Sequence, residues 1–241
     1  MKQKLGLFLY VWIVGNLFGI IYTLMRITRR VEIKGHSWKK LNHKDRGLLV
    51  ICNHPSPTEG ALLPFLFYPL ALVHFRPTLV PRGLPAGEFY HKRWFIPFRP
   101  VSIPIDRDSL REGLRCSKEV ERKLREGQVV LIHPERERIY TEGDSDSRVS
   151  RSGKKMKMFR PGARRLFLNT NCLVLPVWMD GGERMIRNKS DSPRPRFAHV
   201  PRVWRKVTIK IGEPMDVGHM SKDEVVRFLE DALLELADRE M

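Results

Sequence analysis

Short apolar runs rich in β-branched residues alternate with amphipathic stretches along most of this 241-residue chain, which limits the folds open to it. The clearest runs are GLLVIC at 47–52, QVVLIH at 128–133, CLVLPVWM at 172–179 and KVTIKIG at 206–212. Runs of this length and composition predict strands, and the stretches between them are long enough for crossover helices. The pattern predicts a single α/β domain with a mostly parallel or mixed central sheet flanked by helices.

Local signals predict where several of the helices begin and end. Capping boxes at 109–112 and 221–224 predict two helix starts, and Gly127 is a suitable residue to end the first of these helices. A third helix is expected from about residue 57 to residue 67. The prolines of VSIPI at 101–105 predict an irregular or edge strand.

The N-terminal segment is apolar enough to interact with a membrane. Residues 5–25 carry no charge, and a helix of this length reaches about 31 Å, which matches the hydrocarbon core of a bilayer. Basic residues flank the run on both sides and no small-residue cleavage pattern follows it, so an anchor is expected rather than a signal peptide. We therefore predict a membrane anchor at 1–30 and an α/β domain at 31–241.

Gly15, Asn16 and Gly19 leave the conformation of this anchor open. Glycine weakens a helix and asparagine is costly in lipid, so a single transmembrane helix and a hairpin of two interfacial helices are both compatible with the run. Gly15 and Gly19 also have the spacing of a face against which another helix packs closely. A buried core helix is a further alternative, which the length of the run and its basic flanks argue against.

The chain is strongly basic, with 44 Lys and Arg, 27 Asp and Glu, and a formal net charge of +17. Such a charge favours phospholipid, nucleic acid or a phosphorylated substrate as partner. Because a membrane-attached basic domain is attracted to anionic headgroups, membrane phospholipid is the preferred partner and no nucleic acid is expected. Cys52, Cys116 and Cys172 are too widely spaced to predict a disulfide framework or a metal site.

A histidine and a carboxylate follow the first of these apolar runs, where open α/β sheets build their functional sites. His54 has the pKa range of a general base, and Glu59, five residues later, has the carboxylate that could orient its imidazole. The same glutamate fits the third helical position of a capping box that begins at Ser56. Catalysis and helix capping are both open interpretations of Glu59. His133, which also ends an apolar run, is a rival base for which packing is the favoured role.

Six segments in a fixed order resemble the motifs of glycerolipid acyltransferases, specifically the 1-acylglycerol-3-phosphate acyltransferase family, which forms phosphatidic acid. The first resembles the family's Asn-His-x4-Asp motif, with Glu59 in place of the usual aspartate. The third is similar to Pro-Glu-Gly-Thr-Arg, with Arg136 and Glu137 in place of the glycine and threonine. The six segments are NHPSPTE (53–59), IPIDRD (103–108), PERER (134–138), FRPGARRL (159–166), LVLPV (173–177) and IGEPMDV (211–217).

This resemblance implies a membrane-bound O-acyltransferase that moves a fatty acyl group from an acyl thioester to the hydroxyl of a lysophospholipid. It implies His54 as the general base, oriented by Glu59. Acyl-CoA or acyl carrier protein would be the co-substrate, and neither a cofactor nor a metal is expected. The catalytic domain would lie on the cytoplasmic face of the membrane.

The resemblance also implies how the acceptor is bound. Arg107 and Arg138 match motif positions, and a guanidinium is suited to phosphate because it can bind two oxygens at once. Arg136 is an additional candidate, and Glu135 is expected either to bind an acceptor hydroxyl or to hold Arg138. The alternative function is a non-catalytic, basic, membrane-tethered protein that binds phospholipid or nucleic acid through charge alone.

Overall fold

The computed structural model describes residues 6, 10–35, 46–56, 58–73, 77–106, 109–135, 146–185 and 202–240. A π-helical segment, Tyr10–Gly15, leads directly into the first α-helix, and two 3₁₀ segments occupy Pro77–Leu79 and Arg93–Val101. The helices are α1 (Asn16–Ile27), α2 (Thr58–Val73), α3 (Gly87–Tyr90), α4 (Leu110–Arg125), α5 (Pro161–Asn169), α6 (Gly182–Met185) and α7 (Lys222–Asp238). The strands are β1 (Val31–Gly35), β2 (Leu48–Cys52), β3 (Val129–Ile132), β4 (Ser147–Val149), β5 (Lys155–Lys157), β6 (Leu173–Asp180), β7 (Val207–Ile211) and β8 (Met215–Asp216).

The predicted mixed sheet is confirmed, with strand order β1-β7-β6-β2-β3 and β8 paired to β6. Pairing is parallel between β1 and β7, β6 and β2, and β2 and β3, whereas β7 and β8 run antiparallel to β6. Every residue of β2 is fully buried, because apolar layers cover both faces of this central strand. The strand predicted at 101–105 is wrong as a regular strand: Ser102 and Ile105 form isolated parallel bridges, an irregularity that its prolines indicated.

The predicted helix starts are also confirmed. The Ser109 hydroxyl accepts a 3.3 Å hydrogen bond from the Glu112 N–H at the start of α4, and Gly127 has φ +70° beyond its end. Ser221 and Glu224 form a complete capping box at the start of α7. Helix α2 extends to Val73, six residues past the predicted end, because its sequence remains apolar on all sides.

The N-terminal segment packs one of its faces on α2. A Cβ on Gly15 would overlap the ring of Tyr68, and a Cβ on Gly19 would lie 3.1 Å from it. The close-packing alternative for these two glycines is therefore the one that the structure realises, with α2 as the partner helix. None of the helices within the described ranges combines the length and apolarity needed to cross a membrane.

The opposite face of the same segment carries large apolar side chains that no described residue covers. Ile13, Leu17 and Ile20 are each more than 60% exposed. Trp12, Ile21, Leu24 and Ile27 are exposed as well. The segment is thus half core helix and half exposed apolar surface, which the run of uncharged residues could not reveal by itself.

Candidate active site

The candidate site lies where three neighbouring strands end together. Strands β3, β2 and β6 are adjacent and parallel, so their carboxyl ends meet at one edge of the sheet. His54 follows β2, whereas His133 and Glu135 follow β3. Gly182 follows β6 at the same edge. The fold thus assembles residues that are more than a hundred positions apart, at the edge where open α/β sheets place their functional groups.

Asn53 ties the loop after β2 to the end of β6. Its side-chain oxygen accepts a 2.7 Å hydrogen bond from the Met179 N–H, and its side-chain amide donates to the Met179 carbonyl at 3.1 Å. Both bonds are buried, where an amide that meets its donors and acceptors is strongly held. Asn53 therefore sets the position from which the chain continues into His54.

The two carboxylate oxygens of Glu59 face different neighbours. Oε1 accepts hydrogen bonds from the N–H and the hydroxyl of Ser56, at 2.7 and 3.3 Å. Oε2 lies 3.4 Å from Nδ1 of His54, and the Glu59 side chain is fully buried. Oε1 thus takes part in capping the start of α2, whereas Oε2 is placed where the predicted orientation of His54 would require it.

Gly182, just after the end of β6, contacts the start of α2 and the Glu59 cap. The Thr58 hydroxyl donates a 3.0 Å hydrogen bond to the Gly182 carbonyl, and the Thr58 N–H donates to the Ser56 hydroxyl at 3.0 Å. A Cβ on Gly182 would lie 2.9 Å from the Ser56 hydroxyl oxygen and 3.4 Å from Oε1 of Glu59. Glycine at position 182 is thus needed for the close approach of α6 to the Glu59 cap.

His133 stacks on His54. The ring centroids are 4.2 Å apart and the planes differ by 12°. Nδ1 of His133 lies 3.2 Å from the Cys52 carbonyl oxygen. Burial and the neighbouring His54 lower the pKa of His133 to about 3, so its ring is neutral near pH 7. A stacked, neutral imidazole supports the packing role that the sequence favoured for His133.

Glu135 holds the backbone of the site rather than facing outward. Its Oε1 accepts a 2.8 Å hydrogen bond from the His54 N–H, and its Oε2 accepts one of 2.8 Å from the Lys157 N–H in β5. The side chain has no exposed surface. Burial raises the pKa of Glu135 to about 8, while the two backbone donors act in the opposite direction.

The side chains of His54, Glu59 and His133 are close enough together for a metal site to be considered. One donor atom from each lies within 4.8 Å of the others. However, the lone pair of an imidazole nitrogen lies in the ring plane, and two nearly parallel stacked rings cannot both direct such a lone pair at one ion. One ring would have to turn, so the geometry favours the stack over metal ligation.

Three of the predicted arginines and Cys52 remain to be placed. Arg107, Arg136 and Arg138 lie outside the described residues. Cys52 is fully buried, and burial raises the pKa of its thiol well above the ordinary value. A protonated, buried thiol is unsuited to nucleophilic attack.

Sequence reasoning missed three contributors to this site. Asn53 was read only as part of a motif, although a polar residue directly after a buried strand was a usable signal. The glycine pair that follows β6 was a signal for Gly182. The contribution of Lys157 comes from its backbone N–H, so its residue type carried no signal.

Comparisons with known proteins show the family and the fold of the chain. A family model described as "Acyltransferase" matches residues 30–180. The chain is similar in structure to the 1-acyl-sn-glycerophosphate (LPA) acyltransferase PlsC from Thermotoga maritima, with a TM-score of 0.62 and 21% sequence identity. That match covers 99% of this chain and 83% of the other, and at this identity it shows a shared fold. No curated protein matches the chain by sequence.

Proposed function

Because the chain belongs to the acyltransferase family, we propose that it transfers a fatty acyl group from an acyl thioester to the hydroxyl of a lysophospholipid. The acceptor is 1-acylglycerol-3-phosphate or a related lipid, and the donor is acyl-CoA or acyl carrier protein. The observation that carries this proposal is the buried Glu59 carboxylate, 3.4 Å from Nδ1 of His54 at the carboxyl end of β2. Family membership favours this enzyme over a non-catalytic basic binder.

The reaction needs one proton transfer at the acceptor oxygen. With Nδ1 turned toward Glu59, Nε2 of His54 takes the proton of the acceptor hydroxyl as its oxygen attacks the thioester carbonyl. Glu59 stabilises the imidazolium that forms, because the two groups meet where solvent does not screen them. The tetrahedral intermediate then expels the thiolate, which recovers the proton from His54, and no acyl-enzyme is formed.

The acceptor phosphate is assigned to Arg107 and Arg138, with Arg136 as an additional cation. These roles rest on the resemblance of the motifs and on the bidentate geometry of guanidinium and phosphate. Glu135 has both oxygens engaged by backbone N–H groups, which supports a role in positioning His54 over direct binding of an acceptor hydroxyl.

The protein is proposed to work on the membrane that holds its acceptor. The exposed apolar face of the N-terminal segment, formed by Trp12, Ile13, Leu17, Ile20, Ile21, Leu24 and Ile27, supports insertion into one interface of the bilayer. Arg26, Arg29 and Arg30 are exposed at its end, and each contributes roughly 1 kcal/mol near an anionic surface. The α/β domain would then lie on the cytoplasmic face.

The test is a turnover assay with purified protein in vesicles that contain lysophosphatidate, with an acyl-CoA as donor. We expect thiol release matched by formation of phosphatidate. His54→Ala should abolish both, whereas His219→Ala, which changes an exposed histidine in the turn after β8, should leave both unchanged. Full activity of the His54→Ala protein would refute the mechanism.

A further inference from the structure

A groove runs between α1 and α2, outside the cluster of His54 and Glu59. It encloses about 370 Å³, and its lining includes Gly19, Ile20, Tyr22, Leu24, Phe65 and Tyr68. Ile20 and Leu24 are 62% and 55% exposed. The groove therefore opens beside the exposed apolar face of the N-terminal segment.

The two helices run in opposite directions along this groove. Gly19 contacts the ring of Tyr68, whereas Tyr22, further along α1, packs against Phe65, which lies earlier in α2. At 1.5 Å per residue, Phe65 is about 9 Å along the helix from Glu59, and Tyr68 is about 14 Å from it. Tyr22 thus lies at a part of the groove that is nearer to the candidate catalytic side chains than Tyr68 is.

The hydroxyl oxygen of Tyr22 lacks a hydrogen-bond partner in the part of the chain that the structure describes. Its hydroxyl is buried, and no hydrogen-bond partner for it exists among the described residues. By contrast, the hydroxyl of Tyr68, at the far end of the groove, donates a 2.6 Å hydrogen bond to the side-chain oxygen of Asn16. A buried hydroxyl without a partner is costly and points to a group that is absent from the structure.

We infer that this groove binds the acyl chain of the lysophospholipid acceptor, and that the Tyr22 hydroxyl donates a hydrogen bond to the ester carbonyl of that chain. The inference rests on the proposed function, for which it adds a binding site for the acceptor. The mainly apolar lining matches a hydrocarbon chain, and the Tyr22 hydroxyl, which has no partner within the described ranges, lies toward the side where the ester and the glycerol would lie.

The place where the groove opens favours the acyl chain of the acceptor as its ligand over the acyl chain that is transferred. A lysophospholipid resides in the membrane, and because the groove is continuous with the apolar face of α1, its chain can enter the groove laterally from the bilayer. Its glycerol would then extend along α2 toward His54. Arg26 lies one turn beyond Tyr22 and is exposed, so it would add a positive charge near this part of the groove.

The first experiment removes only the hydroxyl. Tyr22→Phe should raise KM for lysophosphatidate about 5- to 10-fold with little change in kcat, since a hydrogen bond to the bound acceptor is lost. Tyr10→Phe is the matched control, because Tyr10 is also buried in the N-terminal segment but does not line the groove. Equal KM values for Tyr22→Phe and the unmodified protein would overturn the role of the hydroxyl.

The second experiment locates the chain without relying on turnover. Full-length His54→Ala protein is irradiated with a lysophosphatidate that carries a diazirine in its acyl chain, and labelled residues are identified by mass spectrometry. We expect labels on Phe65 and Tyr68, reduced by Thr23→Trp, which places an indole at the groove lining. Labels confined to Leu17 and Ile21 on the exposed face would overturn the inference.

The two experiments also separate this inference from the proposed function. Groove labelling together with full turnover by His54→Ala would refute the proposed mechanism and leave the groove as a lipid site. Loss of turnover in His54→Ala without groove labelling would support the mechanism and refute the groove.

Discussion

The backbone N–H of His54 donates a 2.8 Å hydrogen bond to Oε1 of Glu135, a side chain without any exposed surface. The other oxygen of Glu135 accepts from the Lys157 N–H, so one carboxylate joins the loop after β2 to strand β5. The position of the proposed base therefore depends on a side chain that bonds to its backbone and that, by our proposal, does not bind the substrate.

Replacing Glu135 tests this link. In Glu135→Gln, the side-chain amide would face one of the two backbone N–H groups and could not accept from it, leaving a buried donor unpaired. We expect the free energy of unfolding to fall by about 1–3 kcal/mol. We also expect kcat to fall about 10- to 100-fold with little change in KM, because His54 is displaced.

Glu121→Gln is the matched control for this change. Glu121 is also a buried glutamate, but it lies in α4 and pairs with Arg165 at 3.1 Å, away from His54. It should lose stability without a specific loss of kcat. If the two variants lost stability and kcat in parallel, Glu135 would be structural only.

Substitutions of Glu59 test its two proposed roles, in capping α2 and in orienting His54. Glu59→Gln retains an oxygen for the Ser56 N–H but presents an amide to His54, so we expect kcat to fall about 10²- to 10⁴-fold. Glu59→Asp is one methylene shorter and cannot reach both Ser56 and His54, so turnover should also fall. Unchanged or improved turnover in Glu59→Asp, measured by thiol release, would show instead that the aspartate usual in the family is tolerated here.

The close contact at Gly182 yields a prediction about the end of β6. In Gly182→Ala, the added methyl would press on the Ser56 hydroxyl and on Oε1 of Glu59, at 2.9 and 3.4 Å. We expect a loss of about 1–3 kcal/mol in the free energy of unfolding, together with lower kcat. Gly113→Ala, in the interior of α4, meets no atom within 4 Å and should stabilise the protein by about 0.5–1 kcal/mol. Normal stability and turnover in Gly182→Ala would argue against a tight Glu59 cap.

The lowered pKa of His133 makes the free energy of unfolding depend on pH. Its pKa is about 3 in the folded protein against 6.5 ordinarily, so the unfolded chain binds a proton between these values and the folded chain does not. The free energy of unfolding therefore falls as pH decreases through this window, by up to about 1.4 kcal/mol per pH unit. His133→Phe removes this contribution and retains an aromatic ring against His54.

The measurement is urea denaturation at pH 7 and pH 4.5 for both proteins. The unmodified protein should lose more stability between these values than His133→Phe does, and the exposed His219→Phe should behave like the unmodified protein. Identical pH dependence in all three would mean that His133 is not buried in its neutral form. Turnover should survive in His133→Phe and fall in His133→Ala, which removes the stack.

Much of the fold could be predicted from local signals. Helices α4 and α7 begin at the predicted N-cap serines, with a complete capping box only at α7, because a cap is formed by residues three positions apart. Strands β2 and β3 follow from short apolar runs, since hydrophobic periodicity is itself a local property. The hairpin of β4 and β5 was not predicted, because its strands are three residues each and largely polar.

The chemistry of the site could be predicted only in part. His54 and Glu59 were found because they are close in sequence and lie within a recognisable motif. The bonds between Asn53 and Met179 join residues 126 positions apart, and those of Glu135 reach His54 across 81 positions. Strand order determines which of these residues meet, and sequence periodicity carries no information about strand order.

The sequence alone determined that this chain is a basic α/β protein with an apolar N-terminal segment and the motifs of an acyltransferase, since composition, periodicity and short motifs are local properties. The tertiary structure decided that Oε1 of Glu59 bonds to Ser56 while its Oε2 lies 3.4 Å from Nδ1 of His54. It also decided that Gly15 and Gly19 pack on α2, beside a groove in which the Tyr22 hydroxyl meets no partner among the residues that the structure describes. These outcomes depend on which surfaces meet when the helices pack on the sheet, and a side chain acquires its partners only through that packing.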